Sequence, residues 1–352
     1  MYSHAHNIRG LWSLLMGLIL SGLVGCTQED EALPDDRYVF EVPANFPPPA
    51  YTFDNNPVTK RGFELGKALF YDPILSRDST VACASCHVQA VAFADPQHAL
   101  SLGVEERKGT RNAPQIANLA FQKDFFWDGG VTHLDFVPIN AITNPLEMDE
   151  TLANVMQKLN DHAQYPALFK AAFGSDSIHS ARMLHALSQF MVMMVSANSK
   201  YDQHIRNEGE ALSGDELPGL QIFEKKCSSC HAGALFTDGS YRNNGLDYDF
   251  SKDTGRAIIT EVDADQGKFK VPSLRNVALT RPYMHDGRFR TLEEVLDHYT
   301  DGVVASSTLD PLLKNGNRLG IALTEEEKQK IILFLATLTD REFTGNPLFR
   351  AP

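Results

Sequence analysis

Two short segments constrain this chain more than any other feature: Cys83-Ala84-Ser85-Cys86-His87 and Cys227-Ser228-Ser229-Cys230-His231. Cys-x-x-Cys-His is the attachment signature for c-type haem. Two thiols three residues apart on one helical turn both reach the vinyl groups of a porphyrin. The histidine that follows then faces the iron as its proximal ligand. The chain has five cysteines, and four of them sit in these motifs. Three rival readings exist: a local disulfide in each pair, a thioredoxin-like redox pair, or a zinc site built from four Cys and two His. A zinc ribbon does not require His directly after the second Cys, yet here it follows both times. The motifs therefore predict two covalently bound haems c, held by Cys83, Cys86 and His87 and by Cys227, Cys230 and His231.

The fifth cysteine, Cys26, closes an N-terminal apolar run. Residues 1–26 have the anatomy of an export signal, with Arg9 ahead of the stretch from Leu11 to Gly25. That stretch is short for a membrane span. Leu23-Val24-Gly25-Cys26 resembles a bacterial lipoprotein signal-peptidase site, which implies cleavage before Cys26 and lipidation of its thiol. The alternative is an ordinary signal or anchor that ends in cysteine. Either way the body of the chain is expected on the periplasmic side of a bacterial membrane, touching lipid only through its N-terminal anchor. The formal net charge of -13 argues against nucleic acid as a partner.

Residues 27–55 read as a tether, because Gln28-Glu29-Asp30-Glu31 is acidic and Pro47-Pro48-Pro49 favours extended backbone. A first helix is expected through Phe63, Leu65, Leu69 and Phe70, stopped by Asp72-Pro73. Ala90 to Glu147 reads as loop, rich in Gly, Pro and Asn. Helical patterns follow at Leu152–Leu159, Ala181–Ser196, Glu216–Lys226, Leu292–Tyr299 and Thr324–Leu338. No strand-period alternation is sustained. The order of helix, haem motif, loop and helix occurs twice, a weak internal repeat. The expected fold is mainly α, with two cytochrome-c-like domains over residues 56–208 and 209–352, each carrying one haem.

The surroundings of the motifs resemble the bacterial di-haem cytochrome c peroxidase family, which includes the MauG-type enzymes. The resemblance runs from about Pro57 to Leu338. It rests on Phe70-Tyr71-Asp72-Pro73-Ile74-Leu75-Ser76, Gly109-Thr110-Arg111-Asn112-Ala113-Pro114, Phe126-Trp127-Asp128-Gly129 and Asn144-Pro145-Leu146-Glu147-Met148. In the second half it rests on Phe269 to Val277 and on Pro282-Tyr283-Met284-His285-Asp286-Gly287. It implies that the His87 haem reacts with hydrogen peroxide. The His231 haem would take electrons from a small c-type cytochrome or cupredoxin. Trp127 would lie between them, and Glu147 would be the distal carboxylate that moves a proton during peroxide cleavage. Asn112, Thr280 and Pro282 would hold a calcium ion, the last two through backbone oxygens. Members are often homodimers. Without the resemblance, Trp127 reads as a core aromatic, Glu147 as a helix-start carboxylate and the three calcium positions as plain loop.

Three departures from the family pattern matter. The gating histidine expected after Ser101-Leu102-Gly103 is replaced by Val104, which cannot bind iron; His98 is the nearest histidine. A distal glutamine is replaced by Val137. The methionine expected fourteen residues beyond His285 is replaced by Tyr299, as in the MauG-type branch. Leu292, Val295, Leu296 and Tyr299 form an i, i+3, i+4, i+7 stripe, so Tyr299 is either core or a haem ligand. His298 and His285 are rival ligands. A phenolate would favour the ferric state and lower the potential relative to methionine. The resemblance implies a peroxidase. A MauG-type oxidase acting on a partner protein or organic substrate, and a non-catalytic electron-transfer cytochrome, are the alternatives.

Overall fold

The computed structural model describes residues 36–352, which form one compact unit. The signal segment and Cys26 lie outside the described residues. The fold is mainly α, with two two-stranded antiparallel ribbons: Tyr241–Arg242 pairs with Phe269–Lys270, and Lys314–Asn315 with Arg318–Leu319.

Two large hydrophobic clusters, of three among the described residues, organise the fold. Each contains the helix that precedes a haem motif, crossed by a later helix. Lys60–Tyr71 starts at Thr59, whose hydroxyl accepts from the Gly62 N–H, and stops at Asp72 before Pro73. It buries Phe63, Leu65, Leu69 and Phe70. At Gly66 it crosses Ser180–Val192 so closely that a Cβ would sit 1.9 Å from the Ala186 carbonyl oxygen. In the second cluster Glu216–Lys226 meets Glu325–Ala336 the same way: a Cβ on Gly219 would sit 2.0 Å from the Lys330 carbonyl oxygen. A glycine inside a helix costs roughly 1 kcal/mol against alanine. Here close backbone approach requires it in both halves. The weak sequence repeat thus has a structural counterpart.

Three expectations change. The described part of the proposed tether, residues 36–55, is packed rather than extended into solvent. Phe46 and Tyr51 are buried, Tyr38 stacks edge-on against Phe63 at 5.5 Å, and the Ala50 and Tyr51 N–H groups both donate to the Ala120 carbonyl. Five aromatic residues between 38 and 53 supply apolar area that the acidic start and the proline run concealed. The C-terminal end also crosses back, because Phe343 and Phe349 belong to the first cluster and the Tyr71 hydroxyl donates to the Phe349 carbonyl at 2.7 Å. Finally, the stretch from Ala90 to Glu147 contains a helix, Val137–Thr143, and several single 3₁₀ turns. Pro138 at its first turn and its shortness hide it from periodicity.

A fully buried ion pair ties these parts together. Arg275 and Asp202 are both fully buried and paired through two hydrogen bonds of 2.8 Å. Arg275 also donates to the Ala234 carbonyl at 2.7 Å, and its guanidinium lies over the Phe46 ring at 4.4 Å. Asn45 donates to Asp202 at 2.9 Å. One ion pair therefore joins the N-terminal segment, the first half and the loop after the second haem motif.

Candidate functional site

Cys83–Cys86 forms a single helical turn, and the His87 N–H donates to the Cys83 carbonyl at 3.0 Å. The second motif repeats this: the His231 N–H donates to Cys227 at 3.0 Å. Both thiols of each pair thus project from one turn, as the spacing predicts. Each histidine is then oriented by the loop that follows. His87 Nδ1 bonds the Phe93 carbonyl at 2.9 Å, and His231 Nδ1 bonds the Phe236 carbonyl at 3.2 Å. Phe93 and Phe236 both have left-handed backbone, φ 59° and 53°, which turns those carbonyls toward the rings. Such a bond at Nδ1 fixes the tautomer and leaves Nε2 for a metal. Burial lowers the pKa of both imidazoles, which favours the neutral, ligating form.

Both motifs open on one cavity of about 780 Å³. Its walls are mostly apolar, with Phe70, Ile116, Leu119, Leu235, Leu296 and Leu335 among them. Burial pushes the Cys83 and Cys227 thiols up to about 12 and Cys86 up to about 11. All four motif cysteines are free of disulfides. Among the described residues no three His, Cys, Asp or Glu side chains gather about one point. An apolar cavity, paired thiols and an imidazole Nε2 at each end fit two haems.

Glu147 lines the cavity near the first motif, close enough for its charge to raise the Cys83 and Cys86 thiols. Burial raises its own pKa, while the hydrogen bond from Asn144 Nδ2 at 2.8 Å opposes the rise. Asn144 was not singled out in the sequence. Its Asn-Pro turn, in which Oδ1 accepts from the Leu146 N–H at 2.9 Å, was the available signal. Val137 lines the same wall. Val104 is fully buried outside the cavity, and its N–H donates to the Glu147 carbonyl at 2.8 Å. The loop that would carry a gating histidine is therefore fastened to the segment holding the carboxylate. His98 does not line the cavity; its Nδ1 bonds Asp95 at 3.0 Å.

Trp127 lines the cavity together with residues of both motifs. Its indole N–H donates to the Asn112 carbonyl at 2.9 Å, and its carbonyl accepts from the Lys270 N–H at 2.7 Å. The ring is thus held from both halves of the chain. Asn112, Thr280 and Pro282 also line the cavity. The Asn112 amide nitrogen donates to Ala99 and its backbone N–H donates to His285, so its side-chain oxygen remains as an acceptor.

At the second motif the expected helix is shorter than predicted. Leu292–Asp297 is α-helical, and His298–Gly302 is a π turn. Tyr299 falls on that turn, so the stripe does not set its direction. A π turn shifts the side chains that follow and is common at functional sites. Tyr299 lines the cavity, and burial raises its phenol to about 12, with Asn244 bonding it in the opposite sense. His298 does not line the cavity and bonds the Asn244 carbonyl through Nε2 at 3.1 Å. His285 does line it, with its ring stacked on Phe269 at 3.7 Å. Sequence reasoning missed Met284 and Asn244, which also line the cavity; the Asn244 amide lies 3.4 Å from the Met284 sulfur.

Residues 60–210 match the family model for di-haem cytochrome c peroxidase. The methylamine utilization protein MauG of Methylophilus methylotrophus is 33% identical over 91% of this chain and 94% of its own. The cytochrome c551 peroxidase of Nitrosomonas europaea is 34% identical over 82% of each chain. A crystal structure of a MauG-like protein associated with microbial copper homeostasis superposes with a TM-score of 0.81, at 33% identity, covering 90% of this chain and 99% of that one. A chain with two haem c attachment sites facing one cavity is a di-haem oxidoreductase, and this chain belongs to the di-haem cytochrome c peroxidase family. Its cofactors are two haems c.

Proposed function

We propose that the chain reduces hydrogen peroxide to water at the His87 haem, using electrons that a small c-type cytochrome or cupredoxin delivers to the His231 haem. The observation that carries this reading is the single cavity lined by both attachment motifs, with Trp127 and Glu147 also in its lining. The haem iron, when bound, supplies the site at which the oxygen–oxygen bond breaks. Glu147 takes the proton from the near oxygen of peroxide and returns it to the far one, so that water departs. Asn144 holds one oxygen of that carboxylate and leaves the other free to work. Trp127, gripped at its indole nitrogen and its carbonyl, carries electrons between the two ends. His87 and His231 would each hold a haem iron through Nε2, and Tyr299 would be a further ligand to the iron that His231 holds.

A calcium ion on Asn112, Thr280 and Pro282 belongs to the same reading. The donor set is neutral oxygen, which suits a hard cation, and it lies against the wall that Trp127 and His285 share. The domain division at residues 208 and 209, the periplasmic location, the lipid on Cys26 and a homodimer are part of the proposal and rest on sequence alone. No helix among the described residues is long and apolar enough to cross a membrane.

The test is stoichiometric. With both haems attached, the protein is mixed with hydrogen peroxide and a reduced small cytochrome c. Two cytochromes should be oxidised for each peroxide consumed. Peroxide that persists unchanged beside a fully reduced donor would sink the reading. One observation favours a MauG-type oxidase as the second reading: Tyr299, an anionic donor when ionised, lines the cavity, and the sequence resemblance sets it against the methionine of the peroxidases. That reading expects a partner protein or organic substrate to be oxidised in place of the cytochrome.

A further inference from the structure

Just outside the cavity wall stands a phenol that the proposed reaction does not use. The Tyr241 hydroxyl donates to Asp124 Oδ2 at 3.0 Å. It also occupies the place where a side chain on Gly129 would begin: an added Cβ there would lie 1.7 Å from the phenol oxygen, and Gly129 has φ 69°. Tyr241 pairs across its ribbon with Lys270, whose N–H donates to the Trp127 carbonyl. Asp124, Trp127 and Lys270 line the cavity, and Tyr241 does not. The phenol therefore touches the Trp127–Gly129 turn from its outer side, two residues from the indole.

We infer that Tyr241 is a redox station that carries one oxidising equivalent from Trp127 to the outside of the cavity, with Asp124 as its proton acceptor. The inference rests on the peroxidase reading above, because peroxide is the oxidant. In the step, the Tyr241 O–H bond breaks. Its electron passes by way of Trp127 into the cavity, as one of the two that convert peroxide and two protons into two waters; the other comes from the electron carrier of the reaction above or, in its absence, would be drawn from a haem iron. Its proton moves to the Asp124 carboxylate, within hydrogen-bond reach. A neutral phenoxyl remains. An external one-electron reductant then restores the phenolate and Asp124 returns the proton.

The surroundings couple the two transfers. The Arg256 guanidinium lies over the Tyr241 ring at 4.3 Å and donates to the Asp128 and Gly129 carbonyls. A fixed cation at that distance penalises a ring that loses an electron and keeps its proton. Oxidation is therefore favoured only together with proton loss to Asp124. Burial and the Asp124 charge both raise the phenol pKa, so the proton is present at neutral pH to be moved. A purely structural clamp would need the Arg256 contacts but no carboxylate on the hydroxyl.

The test mixes the all-ferric protein, both haems attached, with hydrogen peroxide and freezes it within milliseconds for electron paramagnetic resonance. A phenoxyl signal is expected, narrowed when the protein is grown with ring-deuterated tyrosine and lost in Tyr241→Phe. The resting haem spectrum of the variant reports whether it has folded. Asp124→Asn, which keeps the tyrosine but removes the proton acceptor, should lower the radical yield while the ring stays in place. Two results overturn the inference: a phenoxyl signal that survives Tyr241→Phe, or a haem spectrum that changes with peroxide while no phenoxyl forms. If neither the haem spectrum nor the peroxide concentration changes, the peroxidase reading fails and takes this inference with it.

Discussion

Glu147→Gln lowers the rate of peroxide reduction by about 10²–10⁴-fold, the usual contribution of a positioned proton-transfer group. Glutamine keeps the shape of the side chain and a polar partner for Asn144, so the wall of the cavity is preserved. It cannot accept and return a proton. The pH profile gives an independent sign. Burial raises the Glu147 pKa, opposed by the Asn144 hydrogen bond. In the proposed reaction Glu147 works as the base in its ionised form. The rate should therefore fall as pH drops through a pKa above the ~4.3 of a free glutamate. That acid limb should vanish in the glutamine variant. A full rate for Glu147→Gln would show that another group moves the proton, and Val137, which lines the same cavity, cannot be that group.

Arg275→Met destabilises the protein by about 3–5 kcal/mol, because it leaves Asp202 ionised and unpaired in the interior. Burial would raise Asp202, but the two hydrogen bonds and the charge of Arg275 hold it below the usual carboxylate range. Its folded pKa is thus depressed. The stabilisation it contributes is present above the unfolded carboxylate pKa and is lost as pH falls through the folded one. The variant should consequently lose most of its deficit in acid, where the wild type is weakened too. Thermal melting followed at pH 7 and again in acid checks both parts. A second consequence is local: Arg275 Nε holds the Ala234 carbonyl, two residues before the Phe236 carbonyl that orients His231. The His231 haem should lose its spectral features at a lower temperature than the His87 haem. Equal melting of the variant and the wild type would contradict the account.

The sequence made some of this legible and hid the rest for identifiable reasons. The haem sites were readable because the chemistry demands contiguous residues: two thiols and an imidazole on one turn. Helices such as Lys60–Tyr71 and Glu325–Ala336 were readable because their apolar stripes and caps lie within the segment itself. The packing of residues 36–55 was not, since Phe46 and Tyr51 are buried by partners far along the chain, Arg275 and Ala120 among them. The π turn under Tyr299 was invisible because the 3.6-residue stripe continues through it in the letters but not in space. Glu147 and Trp127 came from the resemblance rather than from pattern. What the fold adds is how they are held, by Asn144, by Asn112 and by Lys270. The absence of a histidine at Val104 was plain in the letters. The structure adds that this position is buried outside the cavity and tied to the Glu147 backbone.

The central claim is that the two haem sites are unequal, with an open one at His87 and a closed one at His231. It is tested most directly by mixing the all-ferric protein with hydrogen peroxide in a stopped-flow spectrometer, with no reductant present. The account predicts an immediate change in the haem absorption, because no side chain at position 104 covers the first site and no activating electron is needed. An unchanged spectrum that responds to peroxide only after one haem has been reduced would contradict it.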